Sequence, residues 1–151
     1  MNARLSTAVI LLTATAVGIA PAHAATKKKT ISKTVAMQLA PLPDPPQGTS
    51  CTDPRFEGIA MHSEPVKTKG AGVLFAKVSG FSGDWDITVV DARDNSVIDV
   101  GSGTSTGGGV PASKGEDTVT IKLKKATSFI VRYCNFAGTP TATGTYTFTY
   151  R

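Results

Sequence analysis

From about Val73 to the end, the chain alternates apolar and polar positions with a period of two. Trp85, Ile87 and Val89 alternate with Asp86, Thr88 and Val90. Val119, Ile121 and Leu123 alternate with Thr118, Thr120 and Lys122, the cleanest half-buried pattern of all. Phe129, Val131 and Tyr133 alternate with Ile130, Arg132 and Cys134, and Tyr146, Phe148 and Tyr150 with Thr145, Thr147 and Thr149. Successive side chains on a strand point to opposite faces, so each apolar triad lines one face of a predicted strand. The run Val73 to Val78 is apolar at both parities, which predicts a strand covered on both faces or nearly so. No window carries a helical period.

Turn chemistry separates the runs. Gly80-Phe81-Ser82-Gly83, Arg93-Asp94-Asn95-Ser96 and Gly138-Thr139-Pro140 are turn-type clusters. Gly101 to Gly109 is a glycine-rich loop; it lacks the order of a phosphate-binding loop. Several short strands with regular turn signals predict an all-β sandwich. The expected core is Trp85, Ile87, Val89, Val119, Ile121, Leu123, Phe129, Val131, Tyr146 and Phe148.

The start of the chain has a different composition. Met1 to Arg4 is basic, Leu5 to Ala20 is nearly all apolar, and Ala22-His23-Ala24 has the small-x-small form cut by a signal peptidase. Residues 1–24 therefore read as a secretory signal, with Ala25 as the first mature residue. The apolar run is shorter than the roughly 20 residues a spanning helix needs. A lipoprotein would need a cysteine where Ala25 stands. Residues 25–50 read as a basic, proline-rich linker, with Pro41, Pro43, Pro45 and Pro46 favouring an extended spacer. The β-sandwich domain is expected over residues 51–151, with docking of Ile31 to Leu39 onto it left open.

Charge narrows the partners. The whole chain is basic, but Lys27, Lys28, Lys29 and Lys33 lie in the linker, against Asp44 alone. The domain is close to neutral and shows no basic face with aromatic readers, which argues against nucleic acid. Lys27 to Lys29 would attract an anionic cell surface weakly; the alternative is a solvated tail. Cys51 and Cys134 are the chain's two cysteines, and in an exported protein they read as a disulfide.

These residues carry a family resemblance. Gly70-Ala71-Gly72-Val73-Leu74 leads into Val78-Ser79-Gly80-Phe81-Ser82-Gly83-Asp84-Trp85-Asp86-Ile87-Thr88-Val89-Val90-Asp91, and the chain closes on Gly144-Thr145-Tyr146-Thr147-Phe148-Thr149-Tyr150. Over about residues 56–150 this resembles the bacterial pre-peptidase C-terminal domain. The resemblance implies a jelly-roll-like antiparallel β-sandwich. It also implies a non-catalytic module of the kind found beside secreted peptidases, some relatives of which bind calcium or collagen. Among these 151 residues no peptidase domain is expected beside it.

Candidate chemistry is sparse. Asp84 and Asp86, two apart at a strand start, are candidate calcium ligands, since calcium takes six to eight oxygens. The alternative is that Asp84 caps a turn and Asp86 faces solvent. Glu116 and Asp117 read as solvating residues at the start of the next strand. His62, the one histidine of the mature chain, would have to serve any Ser-His-Asp or Cys-His centre, yet no GxSxG motif is present. An exposed or edge-strand position is expected for it. Trp85 shares a face with Ile87 and Val89, so a core role is expected rather than a sugar platform. The sequence therefore reads as a secreted non-catalytic module for extracellular binding or a structural role, its ligand a protein or polysaccharide. The second reading is an accessory or inhibitory partner of a secreted hydrolase, acting in trans. No cofactor is expected beyond the calcium candidate.

Overall fold

A computed structural model describes residues 27–42, 51–101 and 115–151. The proposed signal and most of the glycine-rich loop lie outside the described residues. Eight strands follow in order: β1 (Lys29–Gln38), β2 (Met61–Lys67), β3 (Gly72–Phe81), β4 (Trp85–Asp91), β5 (Val97–Val100), β6 (Gly115–Leu123), β7 (Ser128–Asn135) and β8 (Thr141–Tyr150), with one short 3-10 turn at Pro54–Phe56 before β2. They form two four-stranded sheets of order β1-β8-β3-β6 and β2-β7-β4-β5. Every strand pair is antiparallel. The nested pairs β1–β8, β2–β7, β3–β6 and β4–β5 describe one long ribbon folded back on itself and rolled into two layers, the jelly-roll arrangement.

Period two decides the core. Leu74, Ala76 and Val78 of β3, Val119 and Ile121 of β6, and Tyr146 and Phe148 of β8 point inward from one sheet. Trp85, Ile87 and Val89 of β4, and Phe129, Val131 and Tyr133 of β7, meet them from the other. The expected core is observed, with Leu123 only half-buried at its margin. Trp85 is buried, and its indole N–H donates to the Thr139 carbonyl at 3.0 Å. At Gly138 an added Cβ would press on the Trp85 ring, so the β7–β8 turn approaches that ring as only glycine allows.

One boundary and one face differ from expectation. Lys29–Gln38, expected in the linker, is a full strand of the sandwich and pairs with β8 from Lys29↔Tyr150 to Gln38↔Thr141. Its inward side chains Ile31, Val35 and Met37 explain why: they cover the core margin that β8 would otherwise leave open. Leu39 and Leu42 are buried beyond it, and their amides donate to the Pro140 and Asn135 carbonyls. The second difference is β3. Leu74, Ala76 and Val78 are buried, but Val73 and Phe75 face outward and are exposed, so this strand is covered on one face only.

Cys51 and Cys134 form a disulfide. Cys51 lies in the segment before β2, and the bond fastens that segment to β7. With Met61, Phe56 and Phe136 it makes a small second core on the outer side of the β2-β7-β4-β5 sheet. Arg132 of β7 supports the same segment. Its guanidinium donates to the Cys51 and Thr52 carbonyls at 3.4 and 3.2 Å and to Asn95 Oδ1 at 2.8 Å.

Candidate functional site

The outer face of the β1-β8-β3-β6 sheet is the most distinctive surface. Register aligns its side chains in rows across four strands. One row runs Ser32, Thr147, Phe75, Thr120; the next runs Thr34, Thr145, Lys77, Thr118; a third runs Thr30, Thr149, Val73, Lys122. Neighbouring strands lie about 4.8 Å apart, and like-facing residues along a strand about 6.8 Å apart. Threonine is at home there because its branched side chain suits a pleated surface while its hydroxyl meets water. Phe75 does not fit that rule: it is 42% exposed on a strand flanked on both sides, and Val73 beside it is 39% exposed. The face has little charge. Lys77 Nζ meets Glu116 Oε2 at 2.5 Å, and Lys122 is the other cation of these rows.

A second polar cluster sits where edge strands β1 and β2 face each other across the sandwich. Glu64 is buried and accepts from Lys33 Nζ at 2.6 Å, while its other oxygen meets His62 Nε2 at 2.7 Å. Burial pushes the Glu64 carboxyl up, but the hydrogen bonds from Lys33 and His62 outweigh it and hold the group below the usual carboxylate range. His62 lies on an edge strand, as expected. The neighbouring Ser63 hydroxyl donates to Glu57 Oε2 at 2.5 Å, so serine and histidine are each engaged by a different carboxylate. Tyr133 lies deeper, its hydroxyl donating to the Thr145 carbonyl at 3.0 Å, and burial pushes that phenol above the usual tyrosine range. The cluster ties the two sheet edges together, a role the sequence pattern does not reveal because Lys33 and Glu64 come from opposite sheets.

The calcium candidates Asp84 and Asp86 lie at the start of β4, near Asp117 of β6. The Asp86 carboxyl is pushed up to about 6, first by burial and then by the charges of Asp84 and Asp117. Asp84 uses its main-chain carbonyl to accept the Phe136 and Ala137 amides at 2.9 and 3.1 Å. Asp117 is not the solvating residue expected. It is buried, and it accepts the Ile87 amide at 2.9 Å and the Thr118 amide at 2.8 Å. The geometry is local: just past the end of β5 the Gly101 amide donates to the Ile87 carbonyl at 2.7 Å, and the Ile87 amide beside it is taken by the inward side chain of Asp117. Glu116, of opposite parity, points outward to Lys77. Among the described residues, no group of three or more His, Cys, Asp or Glu side chains could hold a metal ion.

No family model matches the chain, and no curated protein matches it. Among solved structures it is similar to the VP2 subviral particle of infectious bursal disease virus, at 10% sequence identity and a TM-score of 0.41. That match covers 91% of this chain and 37% of the other, and it carries no functional argument. Among the described residues, no helix is long and apolar enough to cross a membrane. The disulfide is compatible with an oxidising, extracellular setting.

Sequence reasoning missed Phe75 and Val73 as surface residues. The signal was present: a strand apolar at both parities is either covered twice or displays its second face. The outward neighbours in the other predicted strands, chiefly threonine and lysine, favoured display.

Proposed function

We propose that this chain is a secreted, non-catalytic β-sandwich module that binds an extracellular ligand through the outer face of the β1-β8-β3-β6 sheet. The observation that carries the reading is the exposure of Phe75 and Val73 in the middle of that face. Phe75 and Val73 stand two apart on one face of β3 and add nothing to the core, and a partner that covers them would give that apolar area a role. The signal-like start of the chain, the disulfide and the resemblance to pre-peptidase C-terminal modules support an extracellular binding role. Covering the exposed parts of both side chains would contribute about 2 kcal/mol, or roughly thirtyfold in affinity, as an upper figure.

The test is retention of tagged mature protein on envelope and extracellular-matrix fractions of the cells that secrete it. The double variant Phe75→Ser with Val73→Thr should lose at least about tenfold in retention while keeping the wild-type melting temperature. Equal retention of the two proteins, or none for the wild type, would overturn the reading.

A further inference from the structure

We infer that the ligand of this face is a neutral polysaccharide chain, an inference that rests on the binding role proposed above. Three properties of the surface carry it. The first is its chemistry. Thr143, Thr145, Thr147 and Thr149 run down β8, and Ser32 and Thr120 close the row that holds Phe75. A pyranose ring has an apolar C–H face and a rim of hydroxyls. Seated on the Phe75 ring, it would bury its C–H face there and bring its rim within reach of those threonine and serine hydroxyls, each both donor and acceptor.

The second is charge. Lys77 is already paired with Glu116, which leaves Lys122 as the one unmatched charge of these rows. An anionic polymer or lipid surface is held by several cations acting together, and its affinity falls steeply with salt. The three rows themselves hold no such group of cations. The third is the distribution of apolar area. A protein interface has an apolar core, enriched in aromatic residues and surrounded by a polar rim. Here one phenylalanine and one valine stand among hydroxyls, a pattern suited to a repeating ligand touched lightly at many points. The row from Ser32 to Thr120 spans roughly 14 Å across four strands, room for a short stretch of chain rather than a single small molecule.

The experiment uses the tagged mature protein and the envelope and matrix fractions, before and after periodate, which cleaves the vicinal diols of sugars and leaves polypeptide backbones intact. Retention should disappear after periodate, and should persist in 0.5 M salt to within about a factor of two because few charges take part. In native gels cast with hydroxyethylcellulose, glucomannan or dextran, at least one polymer should slow the wild type. Phe75→Ala should reduce that effect about tenfold, Phe75→Trp should preserve or strengthen it, and Thr147→Val should weaken it. Retention that survives periodate and is not competed by any of the three neutral polymers, or binding to polygalacturonate alone that salt abolishes, would overturn the glycan inference while leaving the binding role standing. Failure of all three neutral polymers to slow the wild type would likewise overturn it. Loss of retention on untreated fractions would instead remove the binding role itself.

Discussion

Removing the Cys51–Cys134 bond gives the sharpest stability test. The bond closes a loop of 83 residues in sequence separation. In the chain-entropy treatment, opening a loop of that length releases the unfolded chain by about 4.5 kcal/mol. The folded state also loses sulfur contacts in the small cluster with Met61, Phe56 and Phe136, where both cysteines are buried. For a domain of this size each kcal/mol corresponds to about 4 °C in melting temperature, so Cys51→Ala with Cys134→Ala should melt about 15–20 °C lower than the oxidised wild type. The assay is thermal unfolding by far-ultraviolet circular dichroism, with reductant-treated wild type as the control. That control should melt close to the double variant. The segment around Pro54–Phe56 should also become the earliest part to exchange its amides, since the disulfide and Arg132 hold it against β7. A drop of less than about 5 °C would refute the entropic account. Two reactive thiols in the unfolded, unreduced wild type would refute the bond itself.

Other outcomes follow from individual groups. Asp86 titrates near 6 in the folded protein and near 3.8 when unfolded, so the folded state holds the proton more tightly and stability should fall as pH rises between these values. Asp86→Asn should remove that fall and stabilise the protein by about 1 kcal/mol at pH 7.5, after allowance for partial solvent screening; an unchanged pH profile would refute it. Glu64 behaves in the opposite sense. Its folded-state pKa is lowered, so its contribution is present at neutral pH and is lost as pH falls through that lowered value. Glu64→Gln should therefore lower the denaturation midpoint at pH 7 and have little effect at pH 2.5, and equal losses at both would contradict the pairing with Lys33 and His62. At Gly101 an added Cβ would collide with the Asp117 carboxylate. Gly101→Ala should cost about 2–3 kcal/mol in urea unfolding, and clearly less in an Asp117→Ala background, because the two changes disturb one contact with the Ile87 amide. Strict additivity would show that the collision relaxes elsewhere.

The period-two pattern alone determined the fold class and most of the core, because on a strand parity decides which face a residue occupies. Trp85, Ile87, Val89, Phe129, Val131, Tyr146 and Phe148 were readable for that reason, and the cysteine pair for reasons of compartment. Parity states that two faces exist; it does not state what covers them. Whether Val73 and Phe75 meet a second layer or water depended on β3 having its outer side unpartnered. Membership of β1 depended on ten residue pairs with β8, more than a hundred positions away. Proline and lysine content near that segment pointed instead to a linker. The same distance hid the Lys33–Glu64–His62 contact and the inward role of Asp117, since each joins strands of opposite sheets. Local alternation is written into neighbouring residues, whereas the pairing of remote strands is set by how the whole ribbon closes on itself, and only the tertiary structure records that closure.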